Sequence, residues 1–180
     1  MLVETRPATS DSSVVTPETF RRVMAQVPTS VTVVAAMTGQ GPVGLTVGTF
    51  VSASLEPPLI GFLPARSSTT WPLIVPIGEF CVSVLADGHE ELGQRFARSG
   101  GPKFDGVRWH PAPSGAPIID GALAWFDCRF ERSFSAGDHW FVLGRVRAMA
   151  LNSTGRPLVF CQGSLRPLAT DANDNVRKDD

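Results

Sequence analysis

Three short stretches of this chain carry the residue types that binding and proton chemistry need. The first is GLTVGTFVSAS, residues 44–54. Thr46, Ser52 and Ser54 recur at even spacing, so they share one face of an extended strand, with Thr49 on the other. Hydroxyls and backbone N–H groups in such a row suit a phosphate or the polar edge of a heterocycle. The same spacing also describes the wet face of an ordinary antiparallel strand. The second stretch is Arg66-Ser67-Ser68-Thr69-Thr70. Arg66 can pair with phosphate, and Ser67 and Ser68 can cap a short helix beside it or do nothing more than cap it. The third is Gly137-Asp138-His139-Trp140. Asp138 can orient His139 next to a ring that suits stacking, and Gly-Asp also suits a plain β-turn.

Other chemistries find little support. Gly39, Gly41 and Gly44 spell G-x-G-x-x-G, the dinucleotide fingerprint. That fingerprint works only as strand, glycine turn and helix, because the helix N-terminus holds the pyrophosphate. Here an alternating β-branched run follows the glycines, Pro42 lies inside the motif, and the nearest acidic residue, Glu56, precedes Pro57-Pro58. The stretch reads as a hairpin turn tightened by Pro42. His89-Glu90-Glu91 lacks the second His of a metalloprotease helix, since Gly93 occupies that place. No metal site is expected. Tyr is absent, and three His are the only side chains titrating near neutrality. This set is poor for hydrolysis and adequate where a cofactor carries the hard step.

The elements that must position these residues are mainly strands. TPETFRRVMAQV predicts a helix with Thr16 as cap and Pro17 at its first position, presenting Phe20, Val23, Met24 and Val27 on one face. SVTVVAAM predicts a strand. GLTVGTFVSASL predicts one long strand with Leu45, Val47, Val51, Ala53 and Leu55 on its apolar face. LIGFLP and FCVSVLA predict two more. Asp87, with Glu90 as capping-box partner, predicts a helix to about Arg98. ALAWFDCRFERSF and HWFVLGRVRAMAL predict two long strands joined around Ser135–Asp138, and PLVFCQGSL closes the fold. Six or seven strands without βαβ alternation predict an antiparallel barrel or sandwich with peripheral helices.

The 180 residues suit one domain over 16–168, with a flexible polar N-terminus at 1–15 and a disordered tail at 169–180. A net charge of −1 argues against nucleic acid and anionic lipid as partners. No apolar run is long enough for a bilayer, and no signal peptide is evident, which together predict a cytoplasmic protein. Three scattered cysteines, Cys81, Cys128 and Cys161, predict buried small hydrophobes rather than disulfides or zinc ligands.

The order of motifs resembles the short-chain flavin reductases, the NAD(P)H:flavin oxidoreductase components that supply reduced flavin to a separate flavin-dependent monooxygenase. The likeness runs from FRRVM and PTSVTVV through GLTVGTFVSASLEPPL, RSSTT, GEFCVSVLA, KFDGVRW and GALAWFDCR to GDHWFVLGRV. It implies a split β-barrel, a homodimer, FMN or FAD, and NADH or NADPH. It implies that Leu45, Thr46, Val47, Gly48, Thr49, Ser52, Ala53 and Ser54 line the flavin. Arg66, Ser67, Ser68 and Thr69 would hold its phosphate region with Lys103, and His139 would lie on the nicotinamide side as the catalytic residue. The family commonly has Asn-Ser-Phe where this chain has Gly48-Thr49-Phe50, which removes a side-chain amide. Related barrels that carry flavin or haem without nicotinamide turnover, or that reduce another acceptor through bound flavin, are the alternatives.

Overall fold

The computed structural model describes residues 15–152 and 154–169. The expected flexible terminus and disordered tail fall outside these residues, apart from Val15 and Ala169. Along the chain come helix α1 (Pro17–Met24), strands β1 (Thr29–Ser30), β2 (Thr32–Thr38), β3 (Gly41–Val47), β4 (Val51–Ser54) and β5 (Leu59–Phe62), then helix α2 (Trp71–Ile74) with a 3-10 turn (Val75–Ile77). Next are β6 (Glu79–Val84), helix α3 (Glu90–Ala97), β7 (Trp109–Pro111), β8 (Pro117–Ile119), β9 (Ala124–Ala136), β10 (His139–Leu151), β11 (Leu158–Cys161) and β12 (Ser164–Pro167).

Seven strands form one antiparallel sheet in the order β3-β2-β6-β9-β10-β5-β4. Its two edges, β3 and β4, are consecutive in the chain. Only Gly48–Phe50 separate them, a reach of about 15 Å at full extension. A flat sheet of this order would hold those edges about 29 Å apart. The sheet therefore curls into a barrel whose edges approach without pairing. This is the split barrel, antiparallel and mainly β, that the sequence implied. The single strand expected over 44–55 is thus a correction. It breaks at Gly48–Phe50, because its two halves belong to opposite edges of the barrel.

Inside the barrel, Val34, Leu45, Val47, Phe62, Phe80 and Val142 pack with Trp71. Phe62 meets Trp71 and Phe80 edge-on, at 5.3 and 5.5 Å between ring centres. The alternate residues of β2, Val33 and Ala35, face outward and pack with Phe96, Leu85 and Leu158. Burial on both faces explains why VVAAM, residues 33–37, is continuously apolar. The strand expected over SVTVVAAM is also broken, at Val31, so β1 can pair with β11 in a small second sheet. PLVFCQGSL is a hairpin, β11–β12, turning at Gln162-Gly163.

Local signals hold at one helix and fail at another. Thr16 caps α1: its Oγ1 accepts the Thr19 N–H at 3.1 Å, and Thr19 Oγ1 accepts the Thr16 N–H at 2.9 Å. Helix α3 starts at Glu90 with His89 at the cap position and no capping side chain. Asp87 does not cap it and pairs with Arg156 instead. The glycine fingerprint is the β2–β3 hairpin, as expected, but Pro42 is not in its turn. Thr38 pairs with Gly41 around Gly39-Gln40; Thr38 Oγ1 donates to Gly41 O at 2.8 Å and accepts the Gln40 N–H at 3.1 Å. Pro42 sits on edge strand β3 opposite Met37, a place that tolerates a missing donor.

Candidate functional site

A cleft of about 340 Å³ opens where the curled sheet fails to close. One wall is the end of β3 and the break after it: Leu45, Thr46, Val47, Gly48 and Thr49. Facing them is the loop after β5, with Pro64, Ala65, Ser67, Ser68, Thr69 and Thr70. The C-terminal end of α3 and its loop add Phe96, Arg98, Ser99 and Lys103, and His139 stands at the β9–β10 turn. The interruption between β3 and β4 is what makes this wall: it leaves three residues of backbone outside any ladder beside the opening.

Several side chains hold the cleft in shape. Thr46 Oγ1 donates to Gly93 O at 2.7 Å and ties β3 to α3. Thr49 Oγ1 accepts the Leu63 N–H at 2.9 Å and ties the break to the end of β5. Ser68 Oγ accepts the N–H groups of Thr70 and Trp71 at 3.3 and 3.1 Å just before α2, whose cap position is Thr70 without a capping side chain. Lys103 reaches through the wall, donating to Gly44 O, Thr70 Oγ1 and Phe96 O at 3.2, 3.2 and 3.1 Å. Burial holds its ammonium below the usual lysine range. The exposed hydroxyls of Ser67 and Thr69 make no side-chain hydrogen bond among the described residues, so both can serve a ligand.

His139 Nδ1 lies 2.7 Å from Asp138 Oδ1. The carboxylate accepts, so Nδ1 carries the proton and the other ring nitrogen, Nε2, is left for a ligand. The same contact holds the Asp138 carboxyl below its usual range. Backbone bonds lock this turn to the opposite wall: Arg66 N–H to Asp138 O at 2.8 Å and Trp140 N–H to Pro64 O at 3.0 Å.

Ten of the fourteen residues singled out in the sequence meet in this cleft: Leu45 to Thr49, Ser67 to Thr69, Lys103 and His139. Arg66 stands outside it. Its guanidinium lies 4.4 Å over the Trp140 ring and donates to Ser135 Oγ and Gly137 O at 3.3 and 3.4 Å. Ser52, Ala53 and Ser54 also lie outside, on edge strand β4, with Ser52 and Ala53 exposed. Arg98 and Ser99 join the cleft without having been singled out. The sequence showed them only as the end of a helix, and the tertiary approach of α3 to β3 brings them in.

The donor set suits an anionic, hydroxyl-bearing ligand with a planar group. Two cationic side chains, two free hydroxyls and unladdered backbone lie beside apolar Leu45, Val47 and Phe96. Residues 24–169 match the family described as the flavin reductase like domain. The chain belongs to that family. A flavin reductase of Pseudomonas putida is 44% identical over 152 residues, covering 84% of this chain and 89% of its own length. The reductase subunit of a flavin-dependent monooxygenase from Rhodococcus jostii is 38% identical, over 86% of this chain and 80% of its own. The solved NADH:FAD oxidoreductase of Streptomyces globisporus, bound to NAD and FAD fragments, superposes with a TM-score of 0.82 at 34% identity, covering 90% of this chain and all of that one. The flavin reductase-like fold and the cleft agree: the hydroxyls, cations and open backbone fit a flavin and a nicotinamide nucleotide by their chemistry.

Proposed function

We propose that this chain is an NAD(P)H:flavin oxidoreductase that passes reduced flavin to a flavin-dependent monooxygenase. The observation that carries the reading is the cleft at the barrel's split, where free hydroxyls, Lys103 and Arg98 meet His139 beside backbone outside the sheet. Its relatives include a flavin reductase and a monooxygenase reductase subunit. Bound flavin supplies the hydride chemistry, taking at its ring what a reduced nicotinamide gives up.

The chain's own residues do the rest. Ser67 and Thr69 donate to phosphate oxygens, and Lys103 and Arg98 set a positive field there. The unladdered backbone at Gly48 and Thr49 borders a ring's polar edge and favours charge that builds on it. His139, fixed by Asp138, offers Nε2 to the amide of the nicotinamide and so holds the two rings in register. The cleft stays open to solvent, which lets a product flavin leave.

The working unit in this reading is a homodimer. Support comes from α1, whose apolar face is exposed among the described residues: Phe20, Val23 and Met24 are 58%, 64% and 45% exposed. The chain acts in the cytoplasm, where reduced nicotinamide is available; among the described residues no helix is long and apolar enough to cross a membrane. The test mixes purified protein with NADH or NADPH and FMN or FAD and follows the reduced-nicotinamide absorbance. Oxidation with at least one pair is expected. Silence with all four rejects the reading, and tight flavin without turnover favours a carrier.

A further inference from the structure

His139 sits at the tip of a hairpin whose two arms, β9 and β10, are 13 residues each. The last pair of that ladder is Ala136 with His139, and Gly137-Asp138 closes it, with Gly137 at a φ of 63°. The tip is exposed from residue 132 to residue 138, and the Asp138 side chain is 94% exposed. A hairpin tip with so little packed around it moves unless something holds it.

Arg66 holds it, from the loop across the cleft. Its backbone N–H donates to Asp138 O at 2.8 Å. Its Nη1 donates to Ser135 Oγ and Gly137 O at 3.3 and 3.4 Å. Its guanidinium carbon lies 4.4 Å from the centre of the Trp140 ring. The two side-chain bonds are long, so the stack on Trp140 bears a comparable share of the hold. These contacts bracket His139, with residues 135–138 on one side and Trp140 on the other. The same loop turns Ser67 and Thr69 toward the cleft and leaves Arg66 out of it.

We propose that Arg66 is a positioning residue for hydride transfer: its side chain pins the β9–β10 tip and so keeps the His139 ring at the cleft. It acts through His139 and touches neither the flavin phosphate nor the nicotinamide. The role rests on the reductase reading. It needs a planar guanidinium, which stacks on an indole and donates in two directions, whereas a lysine ammonium supplies only a point charge.

Arg66→Gln and Arg66→Lys test this, each alone and each combined with His139→Ala. Arg66 is exposed, so folding tolerates both. Both single variants should raise the KM for reduced nicotinamide about threefold, the worth of one exposed cation–π contact, and leave FMN affinity by flavin fluorescence unchanged. In the His139→Ala background neither should add to the loss. No rise in KM, or a rise that persists without His139, overturns the role. So does weaker FMN binding in Arg66→Gln that Arg66→Lys restores, which would assign Arg66 to phosphate. A second readout needs no turnover. The chain has three histidines, so nitrogen NMR identifies the His139 ring by its loss in His139→Ala. Wild type should hold the proton on Nδ1, and Arg66→Gln should mix the two tautomers as the tip loosens. An unchanged tautomer in that variant overturns the clamp. The tautomer change in a chain that oxidises no reduced nicotinamide would keep the clamp and sink the reductase reading.

Discussion

In the proposed reading the reaction geometry turns on His139, a ring that lines the cleft and is oriented by Asp138. Replacing it with Ala is expected to raise the KM for NAD(P)H about fivefold, the worth of one hydrogen bond. Steady-state kinetics with wild type and variant decide it, and unchanged values remove His139 from the site. Lys103 predicts a pH dependence. Its pKa is lowered by burial, so it loses its proton at a lower pH than a free lysine. The protonated form binds anions, so affinity for flavin phosphate should fall as pH rises through that lowered value. Lys103→Gln should bind more weakly and lose the alkaline decline. A decline that persists in the variant assigns it elsewhere. The cysteines differ in the same way. Burial and then Asp127 push the Cys81 thiol up to about 12, and burial raises Cys128 too. Half-buried Cys161 should therefore alkylate first in native protein, with the other two reacting only on unfolding. Mass spectrometry counts the adducts. Gly48 also has a local cause: a Cβ there would lie 2.9 Å from Thr29 Oγ1, so Thr29 occupies the space a side chain would need.

The glycines separate structure from fingerprint at the scale of elements. Gly144 lies in β10, where an added Cβ would stand 2.6 Å from Phe80 Cζ and 3.1 Å from Ile60 Cδ1. Gly144→Ala should cost about 1–3 kcal/mol by overpacking the barrel, read as a lowered denaturation midpoint at unchanged slope. An unchanged midpoint would mean that Phe80 moves aside without cost. The fingerprint glycines have causes of their own. Gly39 meets nothing within 4 Å and does not line the cleft, so it serves the β2–β3 turn. Gly44 is packed: a Cβ there would lie 2.8 Å from Phe96 Cε1, where α3 crosses β3.

At the scale of the whole molecule, several large apolar side chains are exposed among the described residues. Besides the α1 face, Leu55 and Leu151 are 90% and 89% exposed. A charge on the α1 face, as in Val23→Glu, should not disturb the fold, because no residue of α1 is buried. It should shift a dimer to monomer in sedimentation experiments if α1 lies at the interface. A variant that stays dimeric moves the interface to another face, and a wild type that sediments as monomer removes the homodimer.

What the sequence determined alone were local matters with local causes. The capping of α1 by Thr16, the alternation of the strands, the long β9–β10 hairpin around Gly137-Asp138 and the Asp138–His139 contact all follow from neighbours in the chain. Three polar clusters were legible as binding candidates because their residue types were legible. The tertiary structure decided which of them meet. Period two inverts only at Thr49-Phe50, where a polar residue falls in the apolar register and an apolar one in the polar register, and that local signal does not show that Gly48–Phe50 carries the chain from one edge of the barrel to the other. That crossing keeps Thr46 and Thr49 at the cleft and carries Ser52 and Ser54 away from it. Arg66 looked free to meet phosphate and was instead taken by Trp140, far away in sequence. Arg98 and Ser99 come to the cleft from packing α3 and its loop against β3. Alternation and capping need only adjacent residues, whereas a cleft is made by which distant edges a curled sheet brings together.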